Sequence, residues 1–287
     1  MPGILLVIIG GIGRTYRNGG ILFAGHMAFT AMLSFFPFLI FLTALAGFVG
    51  EPQTAQSFID RVFDLAPDRV GEALHPAVNE VLTTKRGGLL TFSLLGALWI
   101  ASSGVEAVRH VLNRAYGVEE IRPFWRRRIE SLLVVVTGGT LTLLLSLSVI
   151  LGPAIWAVLS STLLLPVSAE SAASTARDIV AGLILFTILA VLHATLPCRR
   201  QRLRDVWLGA ALTAVAWIVL ANGFSLYLSN LAAFNLTYGS LGGVVLTLVY
   251  FHASAVLFVL GAELNAESKH RRAESAAATP GSGPATS

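Results

Sequence analysis

Apolar residues run through this chain in long stretches, broken by short polar segments rich in arginine. Six stretches, at roughly 21–49, 88–112, 129–159, 178–196, 206–229 and 240–263, have the length of a bilayer crossing and not of a core strand. The pattern predicts an all-α fold, a polytopic membrane bundle of six transmembrane helices with short external and surface amphipathic helices. The expected organisation is a cytoplasmic surface helix over 1–20, a membrane domain over 21–265 and a disordered cytoplasmic tail over 266–287. That tail closes on ESAAATPGSGPATS, which is small, polar and rich in Pro and Gly.

The opening MPGILLVIIGGIGRTYR carries its arginines after the apolar stretch, the reverse of a secretory signal. It reads as a helix lying along the membrane surface, with Arg14 and Arg17 among the headgroups. One sizeable external segment, 51–87, follows the first crossing. Phe58, Val62 and Leu65, then Val70, Leu74, Val78 and Leu82, fall there at helical spacing, with Pro67 and Pro76 as punctuation. They predict two short amphipathic helices over the outer face.

Composition sharpens this picture. Hydrophobic residues make up 55% of the 287 and charged residues only 13%, against about 25% charged in a soluble domain. Too little polar surface remains for a water-facing exterior. Fifteen of the twenty basic residues lie in the N-terminus, in the connections after the second and fourth crossings, and in the tail. The positive-inside rule places all of those in the cytoplasm, giving a multi-pass plasma (inner) membrane protein with both termini inside. Cys198 is the one cysteine, which excludes a disulfide framework or a CxxC metal or redox site.

The first crossing contains AMLSFFPFLIF, residues 31–41, with a proline inside an apolar run. Pro37 cannot donate to the carbonyl of Leu33, so a kink is expected just before it. The freed carbonyl needs a partner in a medium without water, and Ser34 and Thr30 offer hydroxyls. His26, Thr30, Ser34 and Pro37 recur at steps of four, four and three, a polar stripe expected to face protein or a wet cavity. A packed kink whose hydroxyls bond their own backbone and a functional cavity lining both satisfy this pattern.

Three segments together carry a resemblance. AFTAMLSFFPFLIF (28–41), SSGVEAVRHVLNRAYGVEEIRPFWRRR (102–128) and FSLYLSNLAAFNLTYGSLGGVVLTLVYFHASAVLFVLGAELNAE (224–267) resemble the YihY family, also called the virulence factor BrkB family. The resemblance implies an all-helical six-span bundle and covers most of the chain. Asn113 and Tyr116 resemble the family's asparagine-to-tyrosine run, and Arg122 with Pro123 its following arginine–proline.

In physical terms Asn113, Tyr116, Arg122, Trp125 and Arg126 suit a headgroup-level collar. Arginine forks there would bind lipid phosphate and the rings would sit at the interface; an ordinary positive-inside anchor also suits them. TYGSLGG, with Tyr238, Gly239, Ser240 and Gly243, presents a nearly bare helix face for close packing. Glu263 lies near the cytoplasmic boundary, where it is expected to pair with an arginine of the collar or of the 199–204 loop. No two histidines have metal-ligand spacing, so neither a metal nor a cofactor is expected.

Three functions compete. A transporter or lipid- and amphiphile-handling protein suits the striped helix, the external helices and the collar, with membrane lipids as partners. With no GxxxxGK[ST], it would have no ATPase of its own. A non-transporting scaffold for envelope integrity suits glycine-mediated packing and a homo-oligomer. A ribonuclease, a label that proteins of the resembling family have carried, needs clustered ligands or paired acid–base groups. The cytoplasmic loops offer mainly arginines, so no enzyme activity and no nucleic-acid partner are expected.

Overall fold

The computed structural model describes residues 4–49, 87–163, 168–229 and 234–277, which form seven α-helices with no strand among them. They are α1 (Ile4–Arg17), α2 (Gly20–Val49), α3 (Gly87–Ala115), α4 (Phe124–Leu163), α5 (Ser168–Thr195), α6 (Leu203–Ser229) and α7 (Phe234–Ala277). Each apolar run seen in the sequence lies on one of α2 to α7. Helices are the natural outcome there, because a chain in hydrocarbon must satisfy every backbone group within its own segment.

Two glycines set the breaks. Gly19, at φ 68°, turns the chain from α1 into α2. Gly117, at φ 62°, ends α3, and around it the Gly117 N–H donates to the Arg114 carbonyl at 3.1 Å and the Val118 N–H to the Asn113 carbonyl at 2.9 Å. This left-handed cap satisfies carbonyls that the helix end leaves open, in a conformation glycine adopts without steric cost.

α2 sits at the centre, against α1, α3, α4 and α7, while α7 also contacts α1, α3 and α6, and α5 packs on α6. Alanine supplies nine of the sixteen residues in the main buried cluster, including Ala24, Ala28, Ala107, Ala210 and Ala262. Helices with small side chains at their contacts approach closely, and dispersion rather than water exclusion holds them in lipid. The closest approach joins α6 to α7, where Gly209 and Gly261 face each other backbone to backbone. Large aliphatics point outward instead: Leu22 is 80% exposed, Leu133 60% and Val219 65%. Such a surface would aggregate in water and is at home in acyl chains.

Among the described residues three stretches, Gly20–Leu42, Leu203–Tyr227 and Gly243–Ser275, are long and apolar enough to cross a membrane, with a shorter apolar helix at Ile179–Thr195. α3 and α4 carry Glu106, Arg109, Arg126–Arg128 and Glu130 where they approach each other, which shortens their uncharged length.

α2 carries Pro37 inside a single helix. Two expectations change. α7 runs on to Ala277, so 266–277 is helix where a disordered tail was expected. That stretch is stabilised by Glu267–Arg271 at 2.6 Å and His270–Glu274 at 3.6 Å, both i,i+4 pairs. α1 lies on α7 instead of only on the membrane surface: side chains added at Gly10 and Gly11 would strike Glu267 and Leu264. Its other face leaves Leu6, Ile9 and Tyr16 exposed. The expected external helices of 51–87 and the final residues 278–287 lie outside the described residues, as do the side chains of Tyr238, Gly239 and Ser240.

Candidate functional site at the arginine-rich end of the bundle

The α3–α4 corner gathers acids and arginines from between residues 106 and 130. Arg109, 1% exposed, pairs with Glu106 and reaches Glu130 at 3.5 Å, and it donates to the Arg127 carbonyl at 3.2 Å. Ser131 donates to Glu106 at 2.7 Å. Arg122 holds Glu120 at 2.8 Å and Glu130 at 2.6 Å, and donates to the Leu196 carbonyl at 3.0 Å. Asn113 donates to Glu120 at 2.8 Å and accepts from the Cys198 N–H at 2.8 Å. Arg128 donates to the Trp99 carbonyl and lies over the Trp99 ring, 3.8 Å from its centroid. The corner is thereby locked to the turn after α5.

This arrangement corrects the collar. Arg122 is not a free fork for lipid phosphate, because two carboxylates and a carbonyl occupy it. Asn113 is buried in the same network, and Tyr116 points inward. Trp125 and Arg126 face out, each 68% exposed, beside Ile121 and Phe124. Arg126 is tied loosely to Glu130 at 3.3 Å.

Glu120 shows how strongly the corner is paired. Burial alone would push its carboxyl up, but hydrogen bonds from the Arg122 and Asn113 side chains and the Arg122 N–H, with the Arg122 charge, bring it from 4.5 down to about 2. A carboxyl held below its unfolded value stabilises the fold fully above that value and loses the contribution as pH falls toward the folded one. Melting temperature in detergent should therefore fall between about pH 4.5 and pH 2 more steeply for the wild type than for Glu120→Gln. Parallel curves would contradict the assignment.

A second centre joins the chain ends. Glu263, 1% exposed, accepts from Arg14 Nε at 3.0 Å and from Asn18 Nδ2 at 2.7 Å. Its partners thus come from α1 and the turn after it, not from the collar or the 199–204 loop. Two residues on, Asn265 accepts from the Gly209 N–H at 2.7 Å and lies 3.1 Å from His193 Nδ1 and 3.3 Å from the Tyr116 hydroxyl. Burial pushes the Tyr116 phenol above its ordinary 10, so it stays protonated as a donor. His193 packs edge-on against Phe258 at 4.7 Å. Among the described residues no group of three or more His, Cys, Asp or Glu converges as a metal site.

The stripe on α2 splits up. His26 is exposed, Thr30 and Pro37 are half-buried, and Ser34 is buried with its hydroxyl donating to the Ile100 carbonyl of α3 at 3.2 Å. Ser34 lines an open-sided groove of about 290 Å³ whose walls are otherwise apolar: Ala31 and Phe38 on α2, Gly104 and Val108 on α3, Gly138 on α4, and Leu192 with Leu196 at the end of α5. Its lining suits hydrocarbon; of the two alternatives left open for the stripe, protein or a wet cavity, Ser34 faces protein. The carbonyl of Leu196, one of the lining residues, is the one Arg122 holds.

Sequence reasoning missed Glu106, Glu120 and Glu130 as the partners of these arginines. The i,i+3 spacing of Glu106 and Arg109 and the i,i+4 spacing of Arg126 and Glu130 were the available signals. It also missed Asn265 and the groove glycine Gly104. At Gly243 nothing among the described residues comes within 4 Å of where a Cβ would sit, whereas Gly209 and Gly261 meet tightly.

Lipid-facing aliphatics outside, alanine contacts inside and ionised groups paired at one end define an all-helical integral membrane protein. The chain belongs to the virulence factor BrkB family, whose pattern matches residues 12–286. It is 31% identical over 243 residues to YfkH of Bacillus subtilis (strain 168), whose name calls it ribonuclease-like, covering 85% of this chain and 88% of that protein. It is 24% identical over 256 residues to a UPF0761 membrane protein of Pseudoalteromonas atlantica (strain T6c / ATCC BAA-1087), covering 88% and 82%. A UPF0761 membrane protein of Aromatoleum aromaticum (strain DSM 19018 / LMG 30748 / EbN1) is 25% identical over 247 residues, covering 85% of this chain and 58% of that longer protein. No solved structure matches the chain.

Proposed function

We propose that this protein handles a lipid or similar amphiphile, taking an acyl chain into the groove beside Ser34 and easing its movement between leaflets without an ATPase of its own. The proposal includes six crossings of the plasma membrane with both termini in the cytoplasm. The observation that carries it is the groove: an open-sided recess of about 290 Å³, apolar save for a serine whose hydroxyl is already bonded. A polar solute would gain no hydrogen bonds there, whereas an acyl chain would keep its dispersion contacts.

The ion pairs that cross the α3–α4 corner favour a second reading, a rigid scaffold of the envelope that moves nothing. The ribonuclease reading draws on the name of YfkH. Here Glu106, Glu120 and Glu130 are each bound to arginines, a poor arrangement for exchanging protons with a phosphodiester.

Gly138 gives the test. It lines the groove, and nothing lies within 4 Å of a Cβ placed on it. Gly138→Leu, whose Cβ meets open space, should narrow the groove and gain about 0.8 kcal/mol of helix propensity. Protein in liposomes carrying a fluorescent phospholipid should accelerate leaflet exchange, and Gly138→Leu should slow it about tenfold, a barrier increase of about 1.4 kcal/mol, with melting unchanged or raised. Exchange no faster than in protein-free liposomes would remove lipid movement and leave the scaffold. Fast exchange indifferent to Gly138→Leu would remove the groove.

A further inference from the structure

A cleft of about 610 Å³ opens between the turn after α5 and the C-terminal part of α7, lined by Arg199, Arg200, Arg202, Arg204, Lys269 and Arg272 with Asp205 as its one acid. Two of these cations share Asp205, with Arg272 at 3.4 Å and Arg204 at 3.9 Å. Lys269 is held by the Gln201 side chain at 2.8 Å, and Gln201, 7% exposed, donates in turn to the Arg199 carbonyl at 2.7 Å. That buried amide fixes the loop against α7 and gives the cleft a built floor. Arg199, Arg200 and Arg202 are exposed and have no carboxylate partner among the described residues.

The contrast with the α3–α4 corner matters. There, arginines are matched by Glu106, Glu120 and Glu130; here six cations face one carboxylate in a concave space. Like charges gathered in a cleft with low-dielectric walls focus a positive potential and raise the local concentration of anions. Planar guanidinium forks match the paired oxygens of phosphate better than those of a spherical ion.

We propose that this cleft binds a phosphorylated anion carrying two or more negative charges, held chiefly by Arg199, Arg200 and Arg202. Such an anion can come from solution or from a lipid headgroup, since Leu203 and Trp207 stand exposed on the adjoining turn as interfacial anchors. The site is separate from the groove beside Ser34, and its test reads binding and not leaflet exchange.

The full chain in nanodiscs of neutral phosphatidylcholine would be titrated with pyrophosphate by calorimetry. In parallel, nanodiscs containing phosphatidic acid would be scored for enrichment of that lipid around the protein by mass spectrometry. The triple variant Arg199→Gln, Arg200→Gln, Arg202→Gln should weaken the interaction by about tenfold or more, the loss of at least one charge-assisted contact. The triple variant Arg17→Gln, Arg114→Gln, Arg126→Gln removes equal charge outside the cleft and, in the pyrophosphate arm, where the lipid is neutral, should have a much smaller effect. Loss in the pyrophosphate arm identifies a soluble phosphate, and loss in the phosphatidic acid arm alone identifies a headgroup. No binding in either arm, or an equal effect of the two triple variants, would overturn the proposal and leave ordinary surface attraction. All six substitutions are at exposed side chains, so both variants should fold, which their melting curves verify.

Discussion

Gly209→Val is expected to cost this protein most of its stability, by about 3 kcal/mol or more. A Cβ at 209 would overlap the Gly261 carbonyl oxygen and lie 2.6 Å from Asn265 Nδ2. Backbone cannot rotate aside as a flexible side chain can, so α6 and α7 must separate. Separation also breaks the 2.7 Å bond from the Gly209 N–H to Asn265, which orients the amide toward His193 and Tyr116. Gly261→Ala meets the same obstacle from the other helix, striking Thr213 Oγ1 and the Gly209 carbonyl. Gly182→Ala is the matched control: nothing lies within 4 Å of its Cβ, so helix propensity alone should raise stability by about 0.8 kcal/mol. Melting curves in detergent read all three. A Gly209→Val protein that melts with the wild type would mean that α6 and α7 do not meet at these glycines.

The positions of the long helices were legible because an apolar run of bilayer length has few other fates, and the family was legible in three local sequences. What escaped has physical causes. Recurrence at steps of four looks like one face, yet each step advances 400°, so His26 lies about 80° around the helix from Ser34. That drift leaves His26 exposed while Ser34 is buried, and no polar passage forms along the stripe. The end of α7 reads as a tail because its residues turn polar, but Glu, Lys, Arg and Ala are good helix formers whatever surrounds them. The arginines were legible as topology signals and not as ion pairs. Charge asymmetry sums over loops, whereas the partners Glu120 and Glu130 belong to specific corners of the backbone that only the fold brings together. Glu263 was legible as an acid in need of a cation. Arg14 could not be named, because it lies 249 residues away.

Glu263→Ala is expected to undock α1 and lower stability by about 3 kcal/mol, the cost of leaving one member of a buried ion pair alone. The carboxylate joins three elements: Arg14 of α1 at 3.0 Å, Asn18 of the following turn at 2.7 Å, and α3 through Arg14, whose Nη2 donates to the Ala115 carbonyl at 3.3 Å. Without it Arg14 keeps one carbonyl and Asn18 loses its acceptor. Glu263→Gln retains an oxygen for one of the two donors but no charge, so it should fall between alanine and wild type. Arg14→Ala should cost nearly as much as Glu263→Ala, and the double variant little more than either alone, because both singles break the same contact. Trypsin supplies an independent reading. Cleavage after Arg14 or Arg17 needs α1 to come away from α7, so it should be slow in the wild type and fast in Glu263→Ala. Strict additivity of the two singles, with unchanged cleavage, would show that α1 is held by its Gly10 and Gly11 contacts with Glu267 and Leu264 and not by the ion pair.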